Sequence, residues 1–293
     1  MPKFRIGLNP LPWVLTPNGF ELTVPILRSA FAEIATTPFK GIHADLPPGL
    51  DASGYRALLA EYDLAPAPGY FSADFHTASP RQLAESAKKH AAVQAELGNT
   101  EVFLAAGLTA DRIAHPAIGY GGDAQLQRVI DGIGVAAEAI SAAGVTPALH
   151  PHVGSPVETE PEIRAVLDAV PASVLSFGPD TGHLAWAGVS PAALMSEYAD
   201  RIAAVHLKDV HLNQADAAKR ADAGYFQATV TDFVVWTEPG RGDVDLLAAI
   251  RALPQTFTGW LVVEVDVPEA DTNLASTELS ARWITTQLST DVF

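Results

Sequence analysis

Four short segments in the second half of the chain end on side chains that can bind a metal or move a proton. They are Leu149-His150-Pro151-His152, Gly178-Pro179-Asp180-Thr181-Gly182-His183, Val205-His206-Leu207-Lys208-Asp209 and Val263-Glu264-Val265-Asp266. Each follows an apolar, strand-like run. In an extended chain, side chains two apart share a face. His150 then pairs with His152, His206 with Lys208, and Glu264 with Asp266. Like-facing polar groups at the end of a buried strand are costly unless they are used or hydrated. A single such imidazole would more often be a hydrogen-bonded structural group, because buried polar groups usually find partners. Imidazoles and carboxylates arriving together have the composition of a catalytic divalent-metal site with open positions. The chain has no cysteine, which removes disulfides, iron–sulfur clusters and thiolate zinc sites. Any metal must therefore be held by nitrogen and oxygen.

Apolar runs alternate along the chain with longer, Ala-rich amphipathic stretches. Strands are predicted over 4–8, 40–44, 64–70, 100–105, 146–150, 174–178, 203–207 and 260–265. Helices are predicted over 21–36, 53–62, 80–97, 124–143, 161–169, 191–198, 244–253 and 275–288. Ser79-Pro80, Ser190-Pro191 and Thr159-Glu160-Pro161 supply a capping side chain next to an early proline, as helix starts require. Regular alternation implies parallel strands, and eight units imply closure into a (β/α)8 TIM barrel. Such a barrel needs about 250 residues, and the chain has 293. One domain spanning 1–293 is the expectation. An open doubly wound sheet would need a Gly-rich phosphate fingerprint after its first strand, and none follows residues 4–8. In a barrel the active site forms at the carboxyl ends of the strands. That rule brings all four polar segments to one mouth.

Lys and Arg total 18 against 34 for Asp and Glu, a formal charge of −16. A phosphate backbone calls for a basic surface, so no nucleic-acid partner is expected. No apolar run approaches the about 18 residues of a membrane span, and the N-terminus lacks the pattern of a secretory signal. A cytoplasmic location follows as an expectation, and a homo-oligomer is compatible with it. The longest irregular stretch, the loop at 209–242, reads as a lid or partner surface, against the plainer reading of a decorated loop. Pro239-Gly240-Arg241-Gly242 reads as a tight turn before the next helix, with Asp245 near its N-terminus. Trp13 and Trp186 are candidate apolar walls for a substrate ring, although core packing is the commoner role. His43 and Asp45 end strand two, and His76 lies after strand three. Each can border a substrate or be an ordinary loop residue.

The pieces HPHVGSPVET, FGPDTGHLAWAG, RIAAVHLKDV, PGRGDVDLLAAI and GWLVVEVD resemble the xylose isomerase-like TIM barrel superfamily of sugar phosphate isomerases and epimerases, especially its inosose dehydratase branch. IGLNPLPW and PGYFSADF are compatible with that branch, so the resemblance runs the length of the chain in order. It implies one divalent metal held at the ends of strands five to eight. The position-by-position ligands are His152, Asp180, His206 and Glu264, with His150 or Glu158 as alternatives at strand five. Manganese is the first expectation, with cobalt, magnesium, iron or zinc as alternatives.

The strand-five position is a Glu in the family's epimerases and isomerases, which are thought to place one Glu on each face of an enediolate. Here that position is His. The expected reaction is therefore elimination of water from a keto-inositol or keto-sugar. His150, His152 or Glu158 would be the base, and Lys208 or His183 would stabilise the oxyanion or protonate the departing hydroxyl. The expected partner is a small polyhydroxylated carbonyl compound, bound with help from His183, Lys208, Trp13 and Trp186. Lys208 could instead be a structural ion pair with Asp209 or Asp180. Alternatives are a ketose isomerase or epimerase, a lyase of 3-keto-glycosides, an endonuclease IV-like nuclease, which the charge opposes, and a non-catalytic sugar-binding subunit.

Overall fold

The computed structural model describes residues 4–16, 19–119 and 123–288, with the backbone alone at 123 and 124. Eight parallel strands form the centre: β1 (Arg5–Leu8), β2 (Gly41–His43), β3 (Ala65–Ala67, resuming as Tyr70–Ala73), β4 (Glu101–Ala106), β5 (Thr146–Leu149), β6 (Ser176–Phe177), β7 (Ala204–Leu207) and β8 (Trp260–Val263). Hydrogen bonding runs β7-β8-β1-β2-β3 on one side and β3-β4-β5-β6 on the other. The bridges Phe177–Ile202 and Asp180–His206 close the ring between β6 and β7. The (β/α)8 barrel expected from the alternation is the observed architecture.

Strand three is predicted as one run, and it is broken in two. At Gly69 a side-chain carbon would meet Ala44 O at 2.4 Å and the Gln94 amide at 2.3 Å. Gln94 Oε1 accepts from Gly69 N at 3.1 Å, so a helix side chain fills the place of a ladder partner. The chain can kink there because Gly has no Cβ to clash.

Strand alternation divides the apolar residues into two layers. Ile6, Leu8, Ile42, Val102, Leu104, Leu149, Val205, Leu207, Leu261 and Val263 point outward into the main core. Phe103, Ala204 and Val262 point inward, with Tyr70 and Trp260 beside them. Glycine gives the inner rings room: a Cβ at Gly41 would lie 2.4 Å from the Trp260 ring. Following each inward position toward the carboxyl end leads to Asn9, His43, His150, Asp180, His206 and Glu264, in the residue two further on.

Around the barrel lie α1 (Val24–Ile34), α2 (Ala52–Ala60), α3 (Pro80–Leu97), α4 (Asp123–Ala142), α5 (Glu160–Ala169), α6 (Pro191–Glu197), α7 (Leu246–Arg251) and α8 (Asn273–Gln287). The capping expected from sequence is present: Ser79 accepts from Gln82 N and Ser190 from Ala193 N. Asp245 accepts from Ala248 N at 2.8 Å, and Gly240 takes the left-handed φ of +83° that the preceding turn requires. No helix among the described residues is long and apolar enough to cross a membrane.

The 209–242 stretch, expected to be irregular, has its own structure. Asp209–Val210 pairs antiparallel with Trp236–Thr237, enclosing a helix (Leu212–Arg220) and a wide helical turn (Gln227–Thr231). Val210, Ala215, Ala218, Ala228, Val235 and Trp236 give it a small core. Asp209 closes its base by accepting from the N–H groups of Val210, Gly240, Gly242 and Val244.

Candidate active site

The polar strand ends meet in one buried cluster. The Asp180–His206 bridge makes those two residues neighbours, and His206 Nδ1 lies 3.7 Å from Asp180 Oδ2 and 3.2 Å from Glu264 Oε2. His150 Nε2 reaches Asp180 Oδ2 at 4.0 Å. His150, Asp180 and His206 each offer a ligand atom within 4.8 Å of the others. Ligand atoms about 2.1 Å from a shared ion lie about 3–4 Å apart, so these separations suit one cation. Asp180 Oδ2 and His206 Nε2 are buried without hydrogen-bond partners, which is costly unless something else meets them. The donor set therefore fits a divalent ion. Asp180, His183 and Glu264 form a second, overlapping group. There a cation would sit beside Lys208, whose Nζ is 3.4 Å from His183 Nε2, and like-charge repulsion favours the first set.

His152, chosen from sequence as the strand-five ligand, is in neither group. Pro151 ends the strand, and His152 N turns away to bond Val157 O at 3.1 Å. Its Nδ1 bonds Val153 O at 2.7 Å and its ring packs on His183 with centroids 3.8 Å apart. A carbonyl only accepts, so Nδ1 carries the proton and Nε2 is left as the basic nitrogen. Burial lowers His152 to about 4, helped by Lys208. It is thus neutral at ordinary pH.

Glu158, the other sequence candidate at strand five, is fully engaged elsewhere. Arg112 binds it from the loop after β4, and the N–H groups of Ala117, Ile118, Gly119 and Gly154 donate to its two oxygens. Arg112 also reaches Glu162 at 2.6 Å. The trio pins one loop to the next and presents no free carboxylate to the cluster, which corrects the expectation of a base at Glu158.

Lys208 is fully buried. Its Nζ bonds Glu264 Oε1 at 2.8 Å, pairs with Asp266 and lies 4.1 Å from the Trp236 ring centroid. The structural pairing expected with Asp209 or Asp180 is thus made with Glu264 and Asp266 instead. Burial works against its charge, but Asp266, Glu264 and Asp180 hold it well above the ordinary lysine value. It is a cation at ordinary pH. Burial likewise opposes ionisation of Glu264, and Lys208 and His206 overcome it, holding that carboxyl well below its usual range. Burial pulls His206 down, yet Glu264 and Asp180 raise it to about 9. The cluster carries more negative than positive charge, the condition that favours a divalent cation.

His183 is placed by Asp180, whose Oδ1 caps its short helix (Thr181–Trp186) by accepting from His183 N at 2.8 Å. Val153 N donates to His183 Nδ1 at 3.2 Å. The neutral ring then carries its proton on Nε2, next to Lys208 Nζ, so two donors stand side by side.

Sequence reasoning missed Asn9, whose amide donates to Glu264 Oε2 at 2.5 Å. It ends β1 at the same mouth, so the rule applied to strands five to eight would have found it. A cavity of about 270 Å³ lies over the cluster, lined by Asn9, His43, Tyr70, His150, His152 and Glu264 among others. His43 and Asp45 do border it, whereas Trp13 packs against the main core. Trp186 stacks on Tyr225 with centroids 5.5 Å apart, within the 209–242 excursion. The apolar rim comes from Leu11, Phe20 and Leu108 instead of the two tryptophans.

Comparison with known proteins agrees with the fold. A sequence model described as "Xylose isomerase-like TIM barrel" matches residues 31–287. An inosose dehydratase of Geobacillus thermodenitrificans is 26% identical over 290 residues, covering 96% of this chain and 95% of that protein. Among solved structures, an L-ribulose 3-epimerase superposes with a TM-score of 0.71 at 17% identity, covering 98% of this chain and 95% of its own. A xylose isomerase-like TIM barrel protein from Mycobacterium smegmatis in complex with magnesium also has a TM-score of 0.71, at 15% identity, covering 99% of this chain and 98% of its own.

Proposed function

The chain belongs to the xylose isomerase-like TIM barrel family, and on that premise we propose that it is a divalent-metal-dependent carbon–oxygen lyase that removes water from a keto-inositol or keto-sugar. The observation that carries this reading is the asymmetry of the buried cluster and the cavity over it. A neutral imidazole, His152, lines it, while a cation and a second N–H donor, Lys208 and His183, stand together behind the cluster. Epimerisation through an enediolate calls for matched groups on the two faces, whereas elimination needs a base at one carbon and an acid at the next. The likeness to an inosose dehydratase along nearly its whole length supports the same class.

His150, Asp180, His206 and Glu264 would hold the ion, which, when bound, supplies a Lewis acid for the ketone and a neighbouring hydroxyl. Manganese is the first choice for this nitrogen and oxygen set. His152 Nε2 takes the proton from the carbon next to the ketone. Lys208 and His183 direct their hydrogens at the oxygen where negative charge develops, and the Lys208 ammonium gives a proton to the departing hydroxyl, which leaves as water, while His152 keeps the proton taken from carbon. Asn9 and Lys208 grip both oxygens of Glu264 and so fix its orientation.

The test is incubation of the manganese-loaded protein with an inosose in deuterium oxide, and separately with fructose, psicose and tagatose. Absorbance of an unsaturated ketone should grow with the inosose. Epimerisation of a free ketose, with no water lost from any keto-polyol, would replace this reading with that of an epimerase.

A further inference from the structure

The geometry points to a second subsite beside the reaction cavity, shaped for a neutral, apolar ring carried on the polyhydroxylated ring. The inference rests on the proposed reading of the inner cavity. A groove of about 630 Å³ runs between the 45–50 segment after β2 and the side of α3. Phe20, Asp45 and Tyr70 line both this groove and the inner cavity, so one ligand can occupy the two together. The inner cavity, at about 270 Å³, suits a single six-membered ring, since ligand pockets usually span about 300–1,000 Å³. The groove is more than twice that size and cannot be needed by the same ring.

Its chemistry differs from that of the inner cavity. Leu22, Pro47, Leu50 and Val93 give it apolar walls. Phe20, at the shared rim, is 56% exposed; a flat apolar group laid there would take that ring out of water. Asp45 at the junction and Lys89 on α3 line the groove with opposite charges, so it favours neither an anion nor a cation. The substrate class that matches is a keto-sugar bearing an aromatic or alicyclic group through an ether oxygen.

Calorimetric titration of the full chain with methyl and phenyl β-D-glucopyranoside tests this directly. The phenyl compound should bind about tenfold tighter, the surplus expected from burying one ring after the costs of ordering it. Ser86 lies on the groove rim, away from the metal cluster, so Ser86→Trp should abolish the phenyl advantage and leave methyl glucoside binding unchanged. Equal affinities, no binding of either glycoside, or a phenyl advantage that survives Ser86→Trp overturns the subsite. Inosose dehydration measured on the same preparation separates the two ideas. Water loss without a phenyl advantage leaves the reaction standing alone; a phenyl advantage without water loss leaves the subsite standing and the reaction wrong.

Discussion

Lys208 and the four proposed ligands are so interlocked that each substitution should report a distinct function. Glu264 accepts from Asn9 and Lys208 while lying 3.2 Å from His206. Glu264→Gln keeps the shape but removes the charge that balances Lys208 and a divalent ion. Metal content, measured by elemental analysis, should fall at least about tenfold, because ligand and supporting-residue changes typically cost 10–100-fold. His150 and His152 should then part company. His150→Gln should lose metal, since His150 is grouped with Asp180 and His206. His152→Gln should keep the metal and lose turnover, since its Nδ1 proton is held by Val153. Loss of metal from His152→Gln alone would restore the ligand set expected from sequence. The cluster itself was partly legible: Asp180, His206 and Glu264 each follow an apolar run, and the structure brings them together. His150 and His152 share a face in an extended chain, so alternation could not separate them, and only the turn at Pro151 does.

Loops between elements carry the information least visible in the sequence. Glu158 lies 46 positions from Arg112, and nothing near either residue announces the pairing. The buried Arg112–Glu158–Glu162 trio holds the loop after β4 against the loop after β5, where Val153 positions His152 and His183. Arg112→Met should therefore destabilise the protein by about 3–5 kcal/mol, the cost of stranding a buried charge. It should also slow turnover more than it weakens metal binding. A denaturant midpoint unchanged from the parent would show that the trio is not the brace described here. The 209–242 excursion was obscure for a similar reason. Val210 meets Trp236 across a hairpin with a helix inside it, and strands of two residues leave no periodicity to read. The eight barrel strands were legible because their apolar runs recur; the break at Gly69 was not, since its cause is Gln94 on a later helix.

At the scale of the whole chain, one continuous core joins the outward faces of the strands to the helices, and β8 pairs with β1 at the N-terminus. The proposal of a single domain then predicts one cooperative unfolding transition, and limited proteolysis should not yield two stable fragments. The pH dependence of that transition follows from the buried histidines, with metal removed by chelation. Burial lowers His43, His90, His150, His152 and His183 below the ordinary 6.5, His152 to about 4. For each, the unfolded chain binds its proton first, so stability is complete above 6.5 and is lost as pH falls toward the folded value. His206 has the opposite sign. Burial is outweighed by Glu264 and Asp180, and its folded value rises to about 9. Its contribution is complete below 6.5 and disappears as pH climbs through 9. The metal-free protein should be most stable near pH 6.5, with the acid side steeper because five groups act together there. Differential scanning calorimetry from pH 4 to 10 checks both limbs. His206→Gln should remove the alkaline decline and leave the acid limb in place; a Tm that keeps rising through pH 9 in the parent would mean that the carboxylates beside His206 do not hold its proton.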